Sequence, residues 1–248
     1  LSELQVMFLQ NNKISGSIPP ELPPQLKLLD CGHNLLSGSI PQGICRTNEL
    51  VVLQLNGNLL NGSIPSCIGS LTKLNYLSLA NNALTGPIPP SIGKLQELQQ
   101  LWLNDNRLTG AVPEVLGMLN TLRMAYLHNN LLTGAIPAAV GNCSKLEMLS
   151  LHTNALSGSL PPSLGRLQKL KYLWLGTNFA FDSDDCQVAT LFGLGPDAEV
   201  PGVLSLTDDG FDLSVWGGDP TSFTLDRMSF SGTGELVTDF NEGGTVLG

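Results

Sequence analysis

A chain of 248 residues with 42% hydrophobic content can bury the core of one or two globular domains, and none of its apolar runs approaches the ~18 residues of a membrane-spanning helix. The net charge of −9 is unevenly placed: residues 1–181 carry 11 Lys/Arg against 8 Asp/Glu, whereas residues 182–248 carry Arg227 alone against 13 acids. With no dense basic stripe, neither nucleic acid nor an anionic membrane surface is an expected partner.

Leu1 already lies inside a repeating frame, so the chain reads as a stretch of a longer protein and its lack of a signal peptide is uninformative. An asparagine recurs at Asn12, Asn34, Asn58, Asn82, Asn106, Asn130, Asn154 and Asn178, first after 22 residues and then every 24. Ahead of each come leucines at alternating positions, such as Leu101 and Leu103 before Asn106, which place their side chains on one face of a short strand. A period in the twenties with this frame predicts a solenoid of leucine-rich repeats, α/β in class but mostly parallel β. The asparagine falls where the chain turns inward, and its amide is expected to satisfy turn backbone groups that would otherwise be buried without partners.

The second half of each repeat has its own pattern, as in Leu84, Gly86, Ile88 and Pro89 or Leu132, Gly134, Ile136 and Pro137. The glycine permits a turn closed to residues with a Cβ, and the proline prevents an early helix. The stretch that follows, for example 91–95, has room only for a short 3-10 turn. Of five cysteines, Cys31 takes a slot filled by Leu55, Leu79 and Leu103 elsewhere and is expected to be a buried small hydrophobe. Cys45 and Cys67 both fall in the return segment, and their spacing leaves pairing between neighbouring coils open.

The strand residues between the leucines face away from the core and form three columns. None of these positions carries Lys or Arg, whereas aromatics and methionines gather at Tyr76, Trp102, Met124, Tyr126, Met148, Tyr172 and Trp174. Trp102 is expected beside Tyr126 and Met124 beside Met148. Amphipathic aromatics exposed on a rigid sheet are enriched at binding hot spots, although Trp and Tyr also simply suit a pleated surface. His128 and His152 share one column on adjacent strands, with rings expected about 5 Å apart. Two imidazoles offer metal ligation or a pH response near 6, but the sequence places no third ligand; solvated polar side chains are the plain alternative. Asp30 and Asp105 are candidate cation contacts. Sequons at Asn61 and Asn142 lie outside the inner columns.

The complete frame, L-x-x-L-x-L-x-x-N-x-L-x-G-x-I-P in eight copies over residues 1–181, resembles the plant-type leucine-rich repeat of receptor-like kinases, receptor-like proteins and polygalacturonase inhibitors. That resemblance implies an extracellular or cell-surface, right-handed curved superhelix binding a peptide, protein or glycan on its inner face. Two departures stand out: the paired-cysteine caps of that family are missing from the frame, and no insertion interrupts it. A small-molecule ligand of the steroid-receptor kind is therefore not expected. The family's inner-face arginine pair, which grips a peptide carboxylate, has no counterpart in these columns.

Residues 182–248 form an acidic segment expected to be a β meander or partly disordered, with strands at 203–207, 211–216 and 222–225. Its aspartate clusters match no EF-hand loop. The carboxylates of Asp182, Asp184 and Asp185 lack a partner base, no G-x-S-x-G motif occurs, and Gly193 and Gly195 lack the third glycine of a nucleotide fingerprint. The expectation is a non-catalytic recognition module with no cofactor. A secreted inhibitor of cell-wall glycosidases, or a scaffold without a dedicated ligand, are the alternatives.

Overall fold

The computed structural model describes residues 2–178 and, beyond them, the strands at Ala180–Phe181, Ser205–Thr207, Gly210–Asp212, Met228–Phe230 and Leu236–Thr238. Alternating leucines produce three-residue strands from Val6–Phe8 to Tyr172–Trp174, and eight of these stack in parallel as an inner sheet. Register advances one coil at a time: Tyr76 pairs with Gln100, Gln100 with Met124, Met124 with Met148, and Met148 with Tyr172. Leu77, Leu101, Leu103, Leu127 and Leu151 point into the solenoid and are fully buried. One continuous core therefore runs along all the coils.

The Leu-x-Gly segment, expected to be only a turn, is a second parallel sheet of eight strands from Ser15–Ser17 to Ala180–Phe181. Its glycines adopt φ between 72° and 92°, which bends each strand toward the following Ile-Pro. A glycine in the middle of so short a segment carries weak strand propensity, so the local signal is poor. Pairing with the neighbouring coil supplies the ladder hydrogen bonds regardless. From the second coil to the seventh, the proline that follows leads into a five-residue 3-10 turn, from Gln42–Arg46 to Pro162–Arg166. A different glycine controls how closely these turns stack: a Cβ on Gly117 would lie 2.1 Å from the Ala139 carbonyl oxygen of the next coil. Gly69 and Gly141 meet Ser91 and Ser163 in the same way.

The recurring asparagines interlock the coils. Asn58 donates through Nδ2 to the carbonyls of Leu55 and Asn56 in its own coil, at 3.1 and 3.2 Å, and to Cys31 of the preceding coil at 3.0 Å. Its Oδ1 accepts the Leu36 N–H at 2.9 Å. The same four bonds recur at Asn106, Asn130 and Asn154. Each of these four asparagines thus closes its own turn and binds the coil before it.

Cys45 and Cys67 form a disulfide between the turns Gln42–Arg46 and Ser66–Ser70, where stacking brings their Cα atoms to 5.8 Å. Cys31 is buried as expected, and burial pushes its thiol up to about 11. In the acidic segment, Ser205–Thr207 lies within the strand expected at 203–207 and pairs antiparallel with Gly210–Asp212, which begins one residue before the strand expected at 211–216. Met228–Phe230 pairs with Leu236–Thr238, which the sequence did not signal. The strand expected at 222–225 and the carboxylates of 182–185 lie outside the described residues.

Candidate ligand-binding face

In each inner strand the middle residue enters the core and its two neighbours project from the opposite face. Stacking in register then brings the aromatic side chains into one ribbon. Tyr76 and Trp102 meet edge-on with centroids 5.6 Å apart, and Trp102 meets Tyr126 at 5.1 Å. Tyr126 contacts His128 at 6.1 Å, His128 stacks on His152 at 4.4 Å, and His152 reaches Trp174 at 5.9 Å. Six rings cross five coils without a break. Aromatic contacts of this geometry each contribute about 0.5–1.5 kcal/mol beyond area burial. Met124 and Met148 are direct register partners beside the ribbon, and Tyr172, 39% exposed, follows Met148. All nine residues expected at this face therefore lie on one surface.

The columns are less uniformly open than the strand pattern suggests. Ser78 and Ser150 are fully buried although they belong to the outward column. Ser78 sits in register between Gln54 and Trp102, and Ser150 between Tyr126 and Trp174, so larger neighbours cover the small side chains. Asp30 is also buried, with Oδ1 accepting the Gly32 N–H at 2.9 Å, which removes it as a cation contact. The indole N–H groups of Trp102 and Trp174 are buried and have no acceptor among the described residues.

The histidine pair is tied down by its neighbours. His128 Nδ1 lies 2.9 Å from Ser150 Oγ, and His152 Nδ1 lies 3.0 Å from Thr153 Oγ1. The Asp105 carboxylate stands 4.0 Å from His128 Nε2 and accepts from the Asn104 amide at 2.6 Å and the Asn129 amide at 2.7 Å. Burial pushes the His128 pKa below its ordinary value despite the attraction of Asp105. Burial, reinforced by His128, takes His152 down to about 4. Both rings are thus neutral near pH 7, and the response expected near pH 6 is displaced to lower pH. Among the described residues no group of three His, Cys, Asp or Glu side chains is placed to hold a metal.

The inner columns carry no Lys or Arg, but the margin just before the strands does. Gln99, Thr121, Arg123, Lys145, Glu147 and Lys169 line an open groove of about 300 Å³. Arg123 and Glu147 directly precede Met124 and Met148, so the groove borders the aromatic face. Glu147 accepts from Arg123 Nε at 2.7 Å and Lys171 Nζ at 3.3 Å, and these bonds hold its carboxyl below the usual range. Columns one and three residues ahead of each strand carry this signal in the sequence; attention to the strand residues alone passes over it.

The leucine-rich repeat region model matches residues 39–192, and the leucine rich repeat model matches 3–24 and 25–47. Receptor-like protein 35 of Arabidopsis thaliana is 41% identical over 54 residues, which is 22% of this chain and 6% of that protein. Among solved structures, the plant peptide hormone receptor RGFR1 in complex with RGF2 superposes with a TM-score of 0.74 at 35% identity, covering 77% of this chain and 31% of that one. The leucine-rich repeat ectodomain of the Arabidopsis thaliana membrane receptor kinase GASSHO1/SCHENGEN3, in complex with Casparian strip integrity factor 2, gives 0.65 at 33% identity, over 71% of this chain and 24% of that one. The chain thus spans a third or less of each of these proteins. Its eight interlocked coils and the match over more than half its length establish that it belongs to the leucine-rich repeat family, in the plant-type subclass.

Proposed function

We propose that this chain is the recognition part of an extracellular receptor-like protein and that its concave face binds a peptide segment without chemical change. The ribbon from Tyr76 to Trp174, flanked by Met124, Met148 and Tyr172, is the observation that carries this reading. It is a pre-arranged surface of rigid, amphipathic side chains, so a ligand would lose little of its binding free energy to ordering the protein. The likeness to peptide-hormone receptor ectodomains supports a peptide over a glycan. The Cys45–Cys67 disulfide supports an oxidising, extracellular setting.

The test is a peptide-display selection on the whole chain, followed by titration of enriched synthetic peptides against wild type and Trp102→Ala/Trp174→Ala. Removal of two aromatic anchors should weaken binding at least about 30-fold, since a hot-spot side chain contributes ~1–2 kcal/mol or more. Unchanged affinity in the double variant would place the site elsewhere. A neutral-glycan array run in parallel would, if it alone yielded binders, replace the peptide reading.

A further inference from the structure

We infer that the groove lined by Gln99, Thr121, Arg123, Lys145, Glu147 and Lys169 is an anion subsite of this face, taking an acidic side chain of the bound peptide. This rests on the peptide-binding function proposed above and specifies the ligand's charge.

Charge balance along the strand margin is the ground for it. In the two columns one and three residues ahead of each inner strand, the first four coils hold Glu3, Lys27, Glu49 and Lys73, equal in number by sign. Lys73 pairs with Glu49 at 2.7 Å, and Lys27 bonds the Gln5 amide at 3.0 Å. The last four coils hold Glu97, Arg123, Lys145, Glu147, Lys169 and Lys171, an excess of two positive charges. Glu147 engages Arg123 and Lys171 together, so the one carboxylate that lines the groove is already doubly matched. Lys145 and Lys169 make no ion pair among the described residues. They occupy the same column on adjacent coils, about 5 Å apart along the stack. Gln99 adds a neutral amide to the same wall, whereas the Thr121 hydroxyl is already given to the Gln96 and Leu98 carbonyls at 2.7 and 2.9 Å.

Two ammonium groups on adjacent coils, beside the guanidinium of Arg123, suit a carboxylate approaching from the concave side. The groove borders Met124 and Met148, whose column stands between it and the ribbon. A peptide resting aromatic or aliphatic residues on the ribbon can therefore turn an Asp or Glu over the margin. The groove is open beside the strands, so an acidic side chain can reach it while the peptide backbone stays over the concave face.

The same display selection tests it with different readouts. Peptides enriched on the wild-type chain should contain Asp or Glu beyond the input library, together with aromatic or aliphatic residues. On Lys145→Gln/Lys169→Gln the acidic enrichment should vanish while the apolar preference stays. For one enriched synthetic peptide, that variant should bind about 5- to 10-fold more weakly, and replacing the peptide's acid by its amide should cost the same on wild type and nothing further on the variant. Raising the salt concentration should shrink the difference. Enriched peptides without acidic residues, or equal loss on amide exchange in both proteins, would overturn the anion subsite and leave the peptide-binding function standing. Recovery of no peptide above bare matrix would overturn both. An O-sulfated or O-phosphorylated analogue binding where the carboxylate does not would replace the acid class named here.

Discussion

Replacing Asn106 by alanine measures how much the asparagine ladder holds the coils together. Asn106 is 9% exposed and makes four hydrogen bonds. Its Oδ1 is the acceptor for the buried Leu84 N–H at 3.0 Å, so truncation strands that donor, at a cost of about 1–3 kcal/mol. The carbonyls of Leu79 and Leu103 fare better, since each also accepts from a second ladder asparagine, Asn82 at 3.1 Å and Asn130 at 3.0 Å. Losing the shared bonds adds roughly 1 kcal/mol, for a total near 2–4 kcal/mol. Asn12 is the internal control: it is exposed and its side chain donates only within its own coil, to the Leu9 and Gln10 carbonyls. Asn12→Ala should therefore cost less than about 0.5 kcal/mol. Urea unfolding followed by far-ultraviolet circular dichroism, with mid-points compared at a common slope, separates the two. Equal losses at the two sites, or less than about 1 kcal/mol at Asn106, would refute the interlocking role and reduce the ladder to local turn closure.

Gly117→Ala should destabilise the chain by about 2 kcal/mol or more, because the new methyl meets the backbone carbonyl of Ala139 and not a movable side chain; thermal unfolding reads this, and a neutral result would show that the coils separate freely. The histidine pair makes stability depend on pH. Because burial lowers both pKa values, the unfolded chain takes up protons first as pH falls, so the pair's contribution is complete above about pH 6.5 and is lost toward pH 4. The fall of His152 to about 4 sets a ceiling near 3 kcal/mol, and partial exposure reduces the effect to about 1–2 kcal/mol. Urea mid-points at pH 7.5 and pH 5 should therefore diverge less in His128→Gln/His152→Gln than in wild type; identical differences would assign the acid sensitivity to carboxylates.

Much of the molecule is a consequence of the repeat. Alternating leucines must turn one strand face inward, and an interval fixed at 24 residues from the second coil onward brings the same strand position of those coils into register. That the nine residues of the proposed binding face share one surface follows from those two facts, without knowledge of any contact. The second sheet does not follow, because each of its first seven strands runs through a glycine with positive φ, whose local preference is for a turn. Only pairing with the neighbouring coil makes them strands. The same holds for Cys45 and Cys67, whose spacing of 22 was open until stacking brought their Cα atoms to 5.8 Å.

Composition and spacing thus determined the solenoid, the direction each side chain faces and the aromatic character of one surface. The tertiary structure decided which outward residues are reachable, joining six rings into a ribbon while covering Ser78 and Ser150. It also decided the charge of the neighbourhood, by setting Lys145 and Lys169 at the rim of a face that carries no cation of its own. The physical reason is the same in each case. A repeat specifies every coil alone, whereas burial, ring contact and uncompensated charge are properties of adjacent coils taken together.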